Sequence, residues 1–305
     1  MNRYIPSRPI VILLLLILAM AAPARAASPE EEIRNEIESL RADARPAFLA
    51  ARAAVRAATP AARARALVKV KLAGSGVPDA YVDQVFDDPR AKLFPEIPGK
   101  FGTPTAPPPP VPYARYRKYF ITPANIAAGV QFVRDHRALL DAVTARSSVD
   151  GALLTALVSI ETRYGTAAGT YPVFDALNTI VQQVPARSNW AARETAEFLK
   201  MTYAQGQDAH AVLGSYAGAF GFVQFEPSTY NAVAVDFDGD GQRRLDQWPD
   251  ALGSCAHYLS RAGYDASAPF TPDSKIGLSL FAYNHSDNYV RVILELRGEI
   301  QSRLP

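Results

Sequence analysis

The sequence predicts a mainly helical (α+β) protein with a small irregular or β portion. Apolar residues recur at helical spacing in most segments after residue 29, as Ile33, Ile37 and Leu40 do near the start. Alternating runs typical of half-buried strands are few, and no internal repeat is present. With 305 residues, of which 49% are apolar, the chain is long enough to bury a sizeable core or two lobes.

The first 26 residues have the composition of a secretory signal peptide. Arg3 and Arg8 precede an apolar run over residues 10–20, and Ala-Arg-Ala at 24–26 fits a small-x-small cleavage site. The apolar run is short for a membrane span, so a retained N-terminal anchor is the weaker alternative. No Cys follows the run, so a lipid anchor has no attachment point. The sequence therefore predicts an exported, soluble protein.

Charge and cysteine content narrow the function classes. Loss of residues 1–26 leaves 29 Lys and Arg against 30 Asp and Glu, which gives no basis for binding nucleic acid. Cys255 is the only cysteine, so the exported chain holds no internal disulfide and must be stabilised by packing.

Residues 27–112 are predicted to form an N-terminal helical region that ends in a proline-rich strap. Ala, Glu and Arg dominate residues 29–70, and another short helix is predicted from Gly76 to Val85. The arginines here either lie on a solvated helix face, which is the simpler interpretation, or face an anionic polymer or lipid. Prolines then recur from Phe94 to Pro112, which predicts an extended polyproline segment without helix.

Residues 113–305 are predicted to form the second, larger domain. Thr122 and Pro123 fit the start of a helix that continues to about Leu140. An apolar helix follows from Asp150, with Gly165 as its stop. Further helical patterns cover five segments, namely Trp190–Ala204, Pro227–Val233, Pro249–Arg261, Ser274–Tyr283 and Asp287–Arg297.

Glu161 is the candidate catalytic residue. Leu154, Leu157 and Val158 precede it by seven, four and three residues, so on a 3.6-residue period they share its helix face. A carboxylate on an apolar face is costly to desolvate, so its pKa should rise toward that of a general acid working near neutral pH. The alternative is a structural Glu paired with Arg163 or another cation.

Two polar clusters offer groups suited to a sugar ligand. The glycine-rich segment 214–225 carries Ser215 and Gln224, whose hydroxyl and amide suit sugar hydroxyls and N-acetyl groups; a glycine-rich packing turn is the alternative. Tyr283 and Asn284 lie between two predicted helices and offer a phenol and an amide. The alternative for this second cluster is a capping turn, with Asp287 as the cap. The four histidines lack zinc-ligand spacing, so a catalytic zinc is not expected. No organic cofactor is expected either.

The acidic loop 236–250 predicts a structural Ca²⁺ site. Acids at loop positions 1, 3 and 5 and a glycine at position 6 reproduce the opening of a calcium loop. Position 12 is Gln247 rather than a bidentate Glu, so Asp250 is predicted to supply the closing ligand. A metal-free acidic turn is the alternative. The predicted metal ligands are Asp236, Asp238, Asp240, Gln242 and Asp250.

These motifs, in this order, resemble a known enzyme family. The segments 161–165, 214–225 and 236–250 and the pair Tyr283-Asn284 are similar to those of the lytic murein transglycosylases related to membrane-bound lytic transglycosylase B, glycoside hydrolase family 103. Residues 116–123 also resemble the segment that precedes them in the family. The resemblance covers roughly residues 113–297. Two departures are the missing lipid-attachment Cys, which favours a soluble periplasmic form, and a longer proline-rich strap.

The resemblance implies a lysozyme-like α domain with a small β portion that carries an EF-hand-like loop. It implies cleavage of the β-1,4 bond between N-acetylmuramic acid and N-acetylglucosamine in peptidoglycan, with formation of a 1,6-anhydromuramic end. Glu161 matches the family's catalytic acid/base, and the residues matching its glycan cleft are Ser215, Gln224, Tyr283 and Asn284. We expect glycan strands and other cell-wall enzymes as partners and a monomeric protein. A hydrolytic muramidase and a non-catalytic peptidoglycan-binding scaffold of the same fold are the alternatives.

Overall fold

The computed structural model describes residues 59–101 and 111–305; the predicted signal peptide and residues 102–110 of the strap lie outside the described residues. The helices in chain order are α1 (Pro60–Leu72), α2 (Asp79–Phe86), α3 (Ile97–Lys100), α4 (Tyr113–Arg117), α5 (Pro123–Asp135), α6 (Arg137–Ser147), α7 (Gly151–Thr162), α8 (Val173–Gln183), α9 (Ser188–Gln205), α10 (Pro227–Val233), α11 (Trp248–Arg261), α12 (Lys275–Tyr283) and α13 (Asp287–Gln301).

The helices form two packed groups around one hydrophobic core. In the first group, α8 packs against α9, and α1 packs against both. In the second group, α7 packs against α5 and α13, and α13 also contacts α12. The buried side chains of both groups belong to one continuous cluster that runs from Ala64 to Ile300. The predicted N-terminal region is thus joined to the larger domain by packing of α1 and not by the strap alone.

The β portion is small, and its two strands lie immediately before α8 and after α9 in the chain. Strand β1 (Tyr171–Pro172) pairs antiparallel with β2 (Leu213–Gly214), and isolated bridges join Gly214 to Phe220 and Phe220 to Phe225. Gly169 turns the chain into β1 with a φ of +105°, and a Cβ there would lie 2.0 Å from the carbonyl oxygen of Gly214. Only glycine permits so close an approach of the two backbones. A mainly helical fold with a small β portion is therefore confirmed.

The helix predicted from Thr122 to about Leu140 is two helices, α5 and α6. Its start is confirmed, because the Thr122 side chain accepts a hydrogen bond from the Asn125 backbone N–H. The break is at His136, whose backbone (φ −112°, ψ 21°) leaves the helical region. The His136 ring packs on Phe132 and Trp248, with ring centroids 4.4 Å and 5.5 Å away. This tertiary packing overrides the local helical pattern.

Three further local predictions need correction, and one helix was not predicted. Helix α7 ends at Thr162, with Arg163 in the left-handed region (φ 50°), so Gly165 is not the stop. Within the predicted extended strap, residues 97–100 form the short helix α3, because a proline in the first turn of a helix lacks only an N–H that has no partner there. The cap of α13 is Ser286, whose side chain accepts from the Tyr289 N–H, and not Asp287. Helix α8 was not predicted.

Among the residues that the structure describes, no single helix is long and apolar enough to cross a membrane. Helices α6 and α7 have the necessary length and apolar composition only when they are counted as one segment, and that segment is bent by 111° between them.

Candidate active site

Helix α7 carries Glu161 in its last turn and lies in the centre of the fold. Asp150 begins the helix, because its carboxylate accepts the Leu153 N–H at 2.7 Å and is held in turn by Arg297 at 2.9 Å. Residues 152–162 are all buried, so the helix is enclosed on every side rather than on one face. Glu161 is 8% exposed. The acid is therefore deep in the protein, with a small opening to solvent.

The Glu161 carboxyl is held by a phenol and not by a cation. The Tyr289 hydroxyl donates a hydrogen bond to Glu161 Oε1 at 2.5 Å. Among the described residues no ion pair includes Glu161, so pairing with Arg163 is wrong. Burial raises the pKa of Glu161 from 4.5 to about 7, and the Tyr289 hydrogen bond opposes part of that rise. At neutral pH the protonated and ionised forms of the carboxyl are therefore both populated, so the group can donate or accept a proton.

Three tyrosines from separate parts of the chain surround the acid. The negative charge of Glu161 contributes to raising the pKa of Tyr116, Tyr283 and Tyr289, although burial is the larger cause for each. The rings of Tyr283 and Tyr289 stack with centroids 6.4 Å apart. The hydroxyl of Tyr116 is buried and has no hydrogen-bond partner among the described residues. A buried, unpaired hydroxyl beside an acid is free to bind a ligand group.

The glycine-rich segment 214–225 docks on the end of helix α7. The Thr162 hydroxyl donates to the carbonyl oxygen of Phe222 at 2.8 Å and also accepts the Gly165 N–H at 3.1 Å. The Tyr283 hydroxyl donates to the carbonyl oxygen of the next residue, Val223, at 2.5 Å. The structure therefore brings the Glu161 helix, the glycine-rich segment and the turn at 283–284 together.

Ser215 and Gln224 are half-buried, and each keeps one polar group available. Ser215 Oγ accepts the Ala219 N–H at 3.1 Å, which leaves its hydroxyl hydrogen to donate elsewhere. The Gln224 amide nitrogen donates to the carbonyls of Ala168 and Gly221, at 3.0 and 2.9 Å, which leaves its carbonyl oxygen to accept. Gln224 has a φ of 49°. A non-glycine residue in this region is strained and typical of functional turns.

Tyr283 and Asn284 differ in what they can offer a ligand. The Tyr283 phenol is already engaged with Val223, so it donates no hydrogen bond to a ligand in this arrangement. Asn284 ends helix α12 with an extended backbone (φ −145°, ψ 118°) and is half-buried. Over the ranges 59–101 and 111–305, no hydrogen bond engages its side-chain amide.

The acidic loop lies between α10 and α11, away from Glu161. Carboxylate oxygens of Asp236, Asp238 and Asp250 lie within 4.8 Å of one another. Asp250 is 2% exposed and accepts the backbone N–H groups of Phe237 and Arg244 at 2.7 and 2.6 Å. This set of oxygens fits a hard divalent cation such as Ca²⁺. The carboxylate of Asp240 does not belong to this group.

Helix α11 connects the acidic loop with the tyrosine cluster. Asp250 is in its first turn, and Cys255 and Tyr258 follow on later turns. The ring of Tyr258 lies 4.8 Å from that of Tyr283, and its hydroxyl donates to the Ala282 carbonyl at 2.7 Å. A cation in the loop would thus fix the start of the helix that packs against the site.

Two further acidic residues, Asp175 and Glu226, have neighbours other than Glu161. Asp175 Oδ1 lies 3.6 Å from His210 Nδ1, in the α1, α8 and α9 group. Glu226 lies beside Glu194, whose charge contributes to its raised pKa. Neither contributes to the pKa of Glu161, and no other carboxylate among the described residues does so.

Sequence analysis missed Tyr116, Tyr258 and Tyr289 as members of the site. Tyr289 lies 128 residues from Glu161 in the chain, so no local spacing signals the contact. Tyr116 lies between Arg115 and Arg117, so its neighbours in the chain give no signal of burial.

This chain is similar to known proteins in both sequence and structure. Residues 60–277 match the family described as the transglycosylase SLT domain. Membrane-bound lytic murein transglycosylase B of Escherichia coli (strain K12) is 37% identical over 152 residues, which are 50% of this chain and 42% of that protein. The match therefore spans less than half the length of this curated relative. The family resemblance drawn from the motifs is confirmed.

Two solved structures share the fold. The E. coli lytic transglycosylase SLT35 in complex with calcium has a TM-score of 0.66 and 24% identity, covering 78% of this chain and 92% of that chain. SltB3 from Pseudomonas aeruginosa in complex with NAG-anhNAM-pentapeptide has a TM-score of 0.72 and 23% identity, covering 80% of each chain. These likenesses confirm the lysozyme-like fold class.

Proposed function

This chain belongs to the transglycosylase SLT domain family, and we propose that it is a lytic transglycosylase of peptidoglycan. It would cleave the β-1,4 bond between N-acetylmuramic acid and N-acetylglucosamine and leave a 1,6-anhydromuramic end. The observation that carries the proposal is the buried Glu161 carboxyl, which has no cation partner and a pKa of about 7. Such a group can donate and accept a proton at neutral pH.

A single carboxyl is sufficient for this reaction. Glycosidases that add water use two carboxylates, one of which activates the water or forms a covalent intermediate. In a transglycosylase the 6-hydroxyl of the muramic residue is the nucleophile, and the N-acetyl oxygen of the same sugar stabilises the cationic intermediate. Glu161 would protonate the leaving glycosidic oxygen and then, as the carboxylate, take the proton of the 6-hydroxyl. Among the residues that the structure describes, no second carboxylate shifts the pKa of Glu161, which supports this chemistry.

The remaining site residues would bind and orient the glycan. Ser215 has a free hydroxyl hydrogen, so it suits a hydrogen-bond acceptor on the sugar. Gln224 has a free carbonyl oxygen, so it suits a hydrogen-bond donor on the sugar. The Asn284 side-chain amide can both donate and accept a hydrogen bond. Tyr283 would contribute its aromatic ring, because its hydroxyl is bonded to Val223.

The acidic loop would bind a structural Ca²⁺ through Asp236, Asp238 and Asp250. Asp240 and the Gln242 position remain predicted ligands. The cation would neutralise three clustered carboxylates and so hold the loop against the first turn of α11. No catalytic step passes through it, and no organic cofactor is expected.

With peptidoglycan as its substrate the protein would act in the periplasm, and residues 1–26 would be its export signal. Domain limits at 27–112 and 113–305, a monomeric state and interaction with other cell-wall enzymes remain predictions.

Digestion of purified sacculi tests the proposal. Mass spectrometry of the released fragments should show 1,6-anhydromuramic ends. Reducing ends in their place would identify a hydrolytic muramidase, and binding without release would identify a scaffold.

A further inference from the structure

Two neighbouring carboxyl groups, those of Glu226 and Glu194, lie close to Tyr258, whose ring packs on that of Tyr283. Glu226 is half-buried and comes directly before helix α10. Its neighbour Glu194, on helix α9, is 4% exposed. No ion pair includes either residue within the described parts of the chain. Two acids placed together without a cation partner destabilise the fold when both are ionised, so their presence calls for a role.

Glu226 occupies the capping position of α10 but does not cap it. Its side chain makes no capping hydrogen bond. Glu194 performs that task instead, because its Oε2 accepts the backbone N–H of Ser228 at 2.9 Å. Burial raises the pKa of Glu194 as well, but the bonds to Ser228 oppose that rise. A backbone N–H bonds best to an ionised carboxylate, so this bond favours the negative charge of the pair on Glu194 and the proton on Glu226.

The surroundings of Glu226 favour this protonated form. Burial raises its pKa to about 7, and the charge of Glu194 adds to the rise. Arg187, Arg193 and a hydrogen bond from the Trp190 side chain oppose the rise without reversing it. The other titratable group that faces Glu226 is Tyr258, and Glu197 faces Glu194.

Aromatic side chains continue the site from Glu161 to this carboxyl. Tyr258, whose ring lies 4.8 Å from that of Tyr283, is close enough to Glu226 for the negative charge of the acid to raise its pKa. Trp190 forms a side-chain hydrogen bond with Glu226 and is half-buried. Amphipathic aromatic rings beside a polar group are typical of surfaces that bind sugar rings.

We propose that Glu226 is a specificity-determining residue, whose neutral carboxylic acid donates a hydrogen bond to the acetamido oxygen of a sugar in the cleft. The proposal rests on the proposed function, since it takes the glycan as the ligand. The acetamido carbonyl only accepts hydrogen bonds, so the ionised carboxylate cannot replace the acid. Glycan binding should therefore weaken as pH rises through the range in which Glu226 loses its proton, independently of Glu161.

The test uses the full-length protein carrying Glu161→Gln, which removes catalysis and the titration of Glu161. Calorimetry measures the Kd of an N-acetylglucosamine oligomer, which carries acetamido groups and no carboxylates. We expect binding about fivefold tighter at about pH 6 than at about pH 8, since one hydrogen bond contributes roughly this factor. The double variant Glu161→Gln with Glu226→Gln carries an amide that donates at both pH values. Its Kd should therefore equal the tighter value, that of Glu161→Gln at about pH 6, at both pH values.

Two further variants separate recognition from structure. Glu161→Gln with Glu226→Leu should bind about fivefold more weakly at about pH 6 and show no pH dependence. Glu161→Gln with Glu299→Gln, a matched change at an exposed residue paired with Arg303, should keep the pH dependence. Unchanged pH dependence after Glu226→Gln overturns the inference. Loss of anhydromuramic products by the unmodified protein, with pH-dependent binding intact, overturns the proposed function and leaves this inference standing.

Discussion

Replacement of Glu161 by Gln should make the protein more stable at alkaline pH while abolishing catalysis. Gln keeps the shape of the side chain and can still accept the Tyr289 hydroxyl, which donates at 2.5 Å in the native protein. It removes the ability to ionise. Any gain in stability therefore measures the cost of burying the Glu161 carboxylate.

The size and sign of this gain follow from the pKa. Burial raises the pKa of Glu161 from 4.5 to about 7. The folded protein therefore binds the proton more tightly than the unfolded chain, and stability is lost as pH rises from about 4.5 to about 7. One pKa unit corresponds to about 1.4 kcal/mol, so the loss above about pH 7 reaches about 3 kcal/mol. Below about pH 4 the carboxyl is protonated in both states and costs nothing.

Urea unfolding of both proteins at about pH 4 and about pH 8 measures the difference. We expect equal stability at the lower pH and a Glu161→Gln protein more stable by up to about 3 kcal/mol at the higher pH. Glu299→Gln, at an exposed site, should show no such pH-dependent gain. A Glu161→Gln protein that is less stable at about pH 8 would refute the reasoning, because that is the result of removing one member of a buried ion pair.

Three other changes probe the site and the fold. Tyr289→Phe removes the hydrogen bond that lowers the pKa of Glu161, so the alkaline limb of the pH–rate profile should move to higher pH; an unmoved limb would show that the bond does not tune the acid. Adding Ca²⁺ to chelator-treated protein should raise its melting temperature by mass action, and Asp238→Ala should abolish the rise; identical melting curves with and without the ion would exclude the site. Gly169→Ala should destabilise the protein by more than about 3 kcal/mol through a clash with Gly214, while Gly206→Ala, also at positive φ but with open space around it, should cost only about 1 kcal/mol; equal costs in urea unfolding would contradict the clash.

The parts of the site that depend on local pattern could be predicted from the sequence. Glu161 follows apolar residues at helical spacing, and its burial and raised pKa agree with that pattern. The acidic loop was recognisable because its ligand spacing is contiguous in the chain, and the structure brings Asp250 to Asp236 and Asp238. Both signals are carried by residues close together in sequence.

The parts that depend on tertiary contact could not be predicted. Tyr289 reaches Glu161 across 128 residues, and the bond from Tyr283 to Val223 spans 60. The break at His136 arises from packing on Trp248, which sequence spacing does not encode. Helix α8 did carry a local signal, because Val173, Leu177 and Ile180 recur at helical spacing; the adjoining Pro172 and short strand obscured it.

Product analysis after digestion of sacculi tests the central claim most directly. The unmodified protein should release muropeptides with 1,6-anhydromuramic ends, and the Glu161→Gln protein should release almost none while still binding the sacculi and remaining folded. If Glu161→Gln releases anhydromuropeptides at the rate of the unmodified protein, Glu161 is not the acid/base and the account is wrong.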